Sequence, residues 1–243
     1  MSAPPGSRSA WSVVRHGGTA AELHALELVT PAARSVWDMA LTRDALVLGS
    51  TQPHAVVDPA VLDDEALDVV RRRSGGGAVL LRARDSFWVD VVVPRDDELW
   101  VDDVGRSFDW LGRTWIRALR ALDHDGLEPL TTFPGPMRRT AGSELVCFAG
   151  LGPGEVTAGG RKVIGLSQRR TRAGARFQCL AYLGPARGAS AERGGAEAIV
   201  PLLAAPADPG ARTALEAYLR SGVVALDVAA PALLDAFVAA LPD

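Results

Sequence analysis

Arg71-Arg72-Arg73-Ser74-Gly75-Gly76-Gly77-Ala78-Val79 decides how this chain is read. Three consecutive glycines behind three arginines and a serine give backbone that can approach a ligand closely while its N–H groups stay free to donate. Such a loop suits a carboxylate or a phosphate. The plainer alternative is a hairpin connection, because glycine supplies turn conformations everywhere. It is not a Walker loop, since no Gly-Lys-Ser/Thr follows, and not a dinucleotide fingerprint, since a strand rather than a helix comes next. Val69-Val70 leads into the loop, and the β-rich runs 78–82 and 87–93 leave it, the second ended by Pro94. Further upstream, residues 45–49 read as a short buried strand. Val36, Met39, Ala40 and Arg43 follow helical spacing after Pro31, so a helix is expected before that strand. A loop at 54–59 and a brief helical piece near 63–67 complete this half.

Downstream, Val104, Phe108, Leu111, Trp115, Leu119 and Leu122 lie three or four residues apart with Asp102 and Asp103 near the start, which predicts an amphipathic helix lying on a sheet. Residues 127–142, with Pro129, Pro134 and Pro136, read as a long loop, a length more often functional than idle. Strand-like pieces follow at 145–148, 163–167 and 177–182. A polar, glycine-rich segment at 184–195 precedes an Ala/Leu-rich tail, in which Asp208-Pro209 and Ala230-Pro231 look like helix entries with Pro at the first helical position. The expected organisation is a disordered leader at 1–10, a catalytic body at 11–185, and a linker with a small helical segment at 186–243.

With 243 residues, 48% hydrophobic and 23% charged, the chain can bury a substantial core, which excludes a disordered or fibrous protein. A net charge of -3 offers no general positive field for nucleic acid or anionic lipid. Residues 1–10 lack the apolar run of a secretory signal. The late apolar stretch 222–241 is broken by Asp227, Pro231 and Asp235, which argues against a membrane span. Cys147 and Cys179 are too few for a disulfide framework, and a reducing cytoplasm fits best. No internal repeat recurs.

The basic residues divide unevenly: 25 of the 26 are arginine and the remaining one is Lys162. Lys162 sits in Gly159-Gly160-Arg161-Lys162-Val163-Ile164-Gly165, where glycines bracket the entry to a strand. A compact ammonium can follow developing charge on a phosphoryl or carboxyl oxygen where a broad guanidinium cannot, so a surviving lysine can mark a site; neutral drift in an arginine-biased chain is the alternative. Ser167-Gln168-Arg169-Arg170-Thr171-Arg172 adds a cationic patch, ordinarily a solvated face. Cys147 and Cys179 have apolar neighbours, as inert core thiols do. His16, His24, His54 and His124 lie far apart without ligand spacing, so no stably bound metal is expected, and no Gly-x-Ser-x-Gly elbow is present.

Taken together, the arginine–glycine loop and Gly160-Arg161-Lys162-Val163-Ile164-Gly165-Leu166-Ser167-Gln168-Arg169-Arg170 resemble the two principal motifs of the lipoate–protein ligase and octanoyltransferase family. Leu46-Val47-Leu48-Gly49-Ser50-Thr51-Gln52 resembles its first core strand and the Gln that follows. The resemblance spans about residues 35–183 and implies an α+β fold, a mixed β-sheet flanked by helices as in the biotin and lipoate ligases, here with a short C-terminal helical appendage. It implies a cytoplasmic enzyme that activates lipoate or octanoate with ATP and Mg2+ as an acyl-adenylate and passes the acyl group to a lysine on a lipoyl-carrier domain of a 2-oxoacid dehydrogenase or glycine-cleavage protein. By match to the motifs, Arg72, Ser74, Gly75, Gly76 and Gly77 would line the acyl and phosphate site, Lys162 would bridge carboxyl and phosphoryl oxygens, and Arg169 would help hold the ligand.

A sister branch of the same superfamily transfers octanoyl groups from acyl carrier protein or between carrier domains through a cysteine thioester, without ATP. Cys147-Phe148, fifteen residues before Lys162, resembles the nucleophile position in some of those transferases. A third possibility is a non-catalytic relic that kept the acyl pocket. The chain departs from the family pattern in three places. Leu80-Leu81-Arg82 replaces an aromatic residue, His and Asp after the glycine loop, and Phe177-Gln178-Cys179 replaces a His-Gly pair. With no Asn in the chain, Ser143 and Glu144 are the nearest polar candidates for the Asn or Asp before the lysine motif. Nucleic-acid and membrane partners are not expected.

Overall fold

Phe87, Val89, Val91 and Val93 alternate with Trp88, Asp90 and Val92 along strand β6 (Ser86–Pro94), and almost all of them are buried. A strand apolar on both faces needs a layer on each side. The computed structural model, which describes residues 11–64, 66–122, 127–184, 195–204 and 209–243, supplies both. β6 pairs antiparallel with β10 (Gly174–Leu183), setting Phe177 opposite Val91 and Cys179 opposite Val89. Their common face packs on α3 (Asp109–Ala121) and α5 (Ala230–Ala239) through Leu111, Trp115, Leu233 and Phe237. The opposite face, carrying Trp88, Asp90, Val92, Arg176, Gln178 and Leu180, turns toward a second sheet.

The large sheet is mixed. β1 (Ser12–Gly18) runs parallel to β2 (Ser35–Leu41), which pairs antiparallel with β6. Beyond β10 come β9 (Arg161–Arg170), β8 (Val156–Ala158) and β7 (Leu130–Thr132), all antiparallel, while β11 (Ala225–Leu226) pairs with the end of β10. The small sheet sets β3 (Ala45–Leu48) between β4 (Asp68–Arg71) and β5 (Val79–Leu81). α1 (Ala20–Ala25) begins at a capping box in which Thr19 accepts from the Glu22 N–H and the Glu22 carboxylate accepts from the Thr19 N–H. The α+β class and the mixed sheet flanked by helices agree with the sequence reading.

Several local expectations change. The stretch read as helical after Pro31 is strand β2: Val36 enters one core while Trp37 and Met39 enter another, so both faces are apolar and the alternation that would mark a strand is hidden. The helical piece near 63–67 lies earlier, as the single turn α2 (Pro59–Leu62) capped by Asp58. The long helix starts at Asp109, after a 3-10 turn at Arg106–Phe108, and Val104 is exposed. The loop expected at 127–142 contains β7. Residues 145–148 are not a strand: Val146 makes one bridge to Ala78, and Cys147–Ala149 is a 3-10 turn.

The glycine loop is not a hairpin either. β4 and β5 lie on opposite sides of β3, so residues 72–78 cross over the end of that strand. Gly49 permits the crossing, since a Cβ there would come within 1.8 Å of the Gly76 carbonyl oxygen. After the 3-10 turn Ala196–Leu202, α4 (Pro209–Gly222) places Leu219 in the core that holds Leu46, Leu48 and Phe148. Phe237 of α5 stacks on Trp115 at 4.1 Å. The segment expected as an appendage thus contributes buried side chains to the body. The leader at 1–10, most of the linker at 186–195 and the Asp208 helix entry lie outside the described residues. Among the described residues no helix is long and apolar enough to cross a membrane.

Candidate active site

Lys162 enters from β9 and is buried, 2% exposed. Its Nζ lies 2.8 Å from Glu155 Oε1 and donates to the carbonyls of Cys147 (3.3 Å) and Gly150 (3.2 Å). An ammonium has three hydrogens, and each has an acceptor here. The Nζ also stands 4.6 Å from the centre of the Phe148 ring. Gly165 makes room for that ring, because a Cβ there would approach it to 3.0 Å. Glu155 is used as fully: its Oε1 also accepts from the Leu166 N–H (3.0 Å) and its Oε2 from the Gly152 N–H (2.7 Å). A buried ion pair contributes little net stability unless hydrogen bonds satisfy its remaining atoms, as they do here, but removing one partner strands the other charge. The pair therefore fixes the turn that carries Cys147.

From the other side the glycine loop closes on the same turn. Cys147 N–H donates to the Ala78 carbonyl (2.9 Å) and Ala78 N–H to the Leu145 carbonyl (2.7 Å). A Cβ on Gly77 would fall 2.6 Å from the Val146 carbonyl carbon, so only glycine allows this approach. Gly76, with φ of 96°, lies beside the Cys147 thiol: a Cβ there would be 3.8 Å from Sγ. Among the described residues, the N–H groups of Gly75, Gly76 and Gly77 have no acceptor. Arg72, 5% exposed, braces the loop from behind, its Nη2 donating to the carbonyls of Gly75 and Gly77, both at 2.8 Å.

Cys147 lies where two cavities meet. On one side is a narrow cleft between the sheets, lined mainly by apolar side chains such as Val47, Val79, Leu81, Trp88 and Leu180. On the other is an open cavity bounded by Gln52, Gly76, Gly77, Met137 and Leu145. Lys162 lines neither; its ammonium is sealed behind the 147–150 turn. Gln52 orders the rim, accepting from the Gly49 N–H (2.9 Å) and donating to the carbonyls of Glu144 and Leu145.

Of the residues singled out in the sequence, Lys162, Cys147, Arg72, Gly76 and Gly77 thus converge on one turn. Gly75 meets them through its carbonyl on Arg72. Ser74 faces a separate recess, its hydroxyl 3.3 Å from Gln178 Oε1. Arg169 also lines that recess, away from Lys162, and pairs with Glu27 at 2.9 and 3.1 Å. Ser143 and Glu144 border the open cavity at Cys147, where Ser143 hydrogen-bonds Thr140 and Glu144 pairs with Arg139. Glu155 meets the lysine instead. Its position in Gly152-Pro153-Gly154-Glu155 carries no helical or strand period, which is why sequence reading missed it. His24, Gln178, Asp90 and Arg176 were missed too. Arg176 donates to the carbonyls of Leu23 and Leu26 and to buried Asp90, securing α1 over the cleft. Burial raises the Asp90 carboxyl above its usual range, against the opposing pull of Arg176. Burial, with the Asp90 charge adding to it, drives the Cys179 thiol up, and the residue packs in the core that holds α3.

The chain matches the lipoyl protein ligase A/B catalytic domain family over residues 32–185. No curated protein matches it at the sequence level. Solved structures match its fold. A bipartite lipoate protein ligase of Thermoplasma acidophilum, from a study that also covers its E2 lipoyl domain, aligns with 96% of this chain and 82% of its own at 16% identity and a TM-score of 0.67. Lipoate-protein ligase A bound with ATP aligns over 96% and 84% at 15% identity, TM-score 0.61. A further T. acidophilum protein, with bound lipoic acid, aligns over 96% and 84% at 14% identity and the same score.

Proposed function

Since this chain belongs to the lipoyl protein ligase A/B catalytic domain family, we propose that it transfers a lipoyl or octanoyl group to a carrier-domain lysine through a thioester on Cys147. One observation carries this reading: Cys147 is the nucleophilic side chain at the junction of the apolar cleft and the open cavity, beside Gly76 of a loop whose N–H groups have no acceptor among the described residues. The thiolate attacks the carbonyl of an acyl thioester on a donor carrier, the carbon–sulfur bond to the donor breaks, and the donor thiol leaves with a proton. The glycine N–H groups are available to the oxyanion that forms. An acceptor lysine amine then attacks the Cys147 thioester, and its released proton restores the thiol. Lys162 acts as a positioning residue, because its hydrogens hold the Cys147 turn.

ATP-dependent activation is the second reading. It is favoured by the same unsatisfied loop N–H groups, which suit phosphoryl oxygens, and by likeness to a fold solved with ATP. ATP would supply the activated phosphoryl carrier of the acid, with Mg2+ as its companion, and Lys162 would have to exchange one of its three acceptors for the ligand. A lipoyl-carrier domain is the acceptor in both readings. Intact-mass analysis after incubation with octanoyl-carrier protein, with and without ATP, separates them. We expect one acyl increment without ATP, lost in Cys147→Ser. An unmodified wild type overturns the thioester reading, and acyl-adenylate formed from octanoate and ATP by Cys147→Ser selects the second.

A further inference from the structure

Phe133-Pro134-Gly135-Pro136-Met137-Arg138-Arg139 leaves β7 as a loop fastened at both ends to the segment that carries Gly150 and Glu155. The Phe133 N–H donates to the Glu155 carbonyl (2.9 Å) and the Gly154 N–H to the Phe133 carbonyl (2.8 Å), while Arg138 and Leu151 exchange both backbone hydrogen bonds, at 2.7 and 3.0 Å. Between those anchors two prolines fix φ, so the loop is held in one shape.

What it holds out is Met137, at the rim of the open cavity that Cys147 borders. Met137 is 54% exposed. Its side chain lies over two glycines of the neighbouring turn: a Cβ on Gly150 would stand 3.6 Å from its Sδ, and one on Gly152 3.4 Å from its Cε. Beside it, the Arg138 guanidinium sits 5.5 Å from the centre of the Phe133 ring and has no carboxylate partner among the described residues. Arg139 and Glu144 line the cavity and pair at 3.3 Å, both largely exposed. Positive charge is therefore in excess on this rim. None of these side chains lines the apolar cleft. An acyl group housed in the cleft leaves them uncovered, and only a body larger than its acyl cargo reaches them while the cargo is at Cys147.

We propose that the 137–139 rim is the docking face for the protein domain that brings the acyl thioester to Cys147, with Met137 in apolar contact beside the loaded arm and Arg138 and Arg139 meeting acidic side chains of that domain. This rests on the thioester reading above. Exposed apolar surface at the edge of a site marks an interaction surface, and methionine adapts its shape to a partner. The positive excess orients an acidic partner and speeds its encounter. Rim and thiol are continuous, since Met137, Arg139 and Cys147 border one space.

Intact-mass time courses of the full chain test this by comparing Cys147 acylation from octanoyl-carrier protein with acylation from a small thioester, octanoyl-N-acetylcysteamine. The readout is the ratio of the two rates, which a general loss of folding does not lower. We expect that ratio to fall at least about ten-fold in Met137→Asp and in the double variant Arg138→Glu with Arg139→Glu, the size of losing one good interface contact. A ratio unchanged in both variants overturns the proposal, as does a wild type acylated by the small thioester but not by the carrier protein. In either case Cys147 still takes the acyl group, and the thioester reading stands. If neither donor acylates the wild type, that reading falls and this proposal with it.

Discussion

A buried imidazole shows most clearly what one residue contributes here. His24 lies 4.6 Å from Trp88, and its folded pKa of about 3 is below the ordinary 6.5. Between those values the unfolded chain binds a proton that the folded chain refuses. Stability therefore rises with pH through this window and is lost as pH falls from 6.5 toward 3, by up to about 1.4 kcal/mol per pH unit. Urea denaturation of wild type and His24→Gln between pH 7 and 4 should show the steeper acid loss in the wild type; equal slopes would remove His24 as the cause. None of this was legible in the sequence, where four scattered histidines offered only the absence of metal spacing. The lone lysine was legible as unusual. Its buried partner Glu155 was not, because an ion pair formed by a turn folding back on a strand leaves no periodic trace.

Among the elements, the crossing of the glycine loop over the end of β3 depends on two backbones meeting without side chains. A methyl group on Gly49 would collide with the Gly76 carbonyl, while a Cβ on Gly75 meets nothing within 4 Å. Gly49→Ala should lower the urea midpoint by about 1–3 kcal/mol of stability, as overpacking does. Gly75→Ala should stay within about 0.5 kcal/mol. Similar midpoints for the two would show that the crossing is not constrained. The strands around the loop were readable, since β3, β4, β5 and β6 are short apolar runs bounded by turn residues. Strand β2 was not: Trp37 and Met39 on one face and Val36 on the other give a run whose spacing also fits a helix.

For the molecule as a whole, the C-terminal segment closes the body. Val224 N–H donates to the Lys162 carbonyl (2.8 Å), and Trp11 Nε1 donates to the Pro242 carbonyl (2.7 Å). Phe237 is fully buried against Trp115. Phe237→Ala should cost about 3–5 kcal/mol, the usual range for a buried aromatic, read as a lowered unfolding midpoint by circular dichroism. A change under about 1 kcal/mol would mean that the tail is dispensable to the core. From the sequence the tail's helices could be placed but not their docking, because an Ala/Leu-rich helix does not say which surface it meets. Glu27, Arg73 and Arg169 bring three distant parts of the chain together at the mouth of the recess, with Glu27 and Arg73 about half exposed. Exposed charges at that spacing are weakened by dissolved ions over a Debye length of about 8 Å at physiological ionic strength. The clasp they form loosens as electrolyte rises, so the hold of Glu27 on the two arginines depends on the saltiness of the medium.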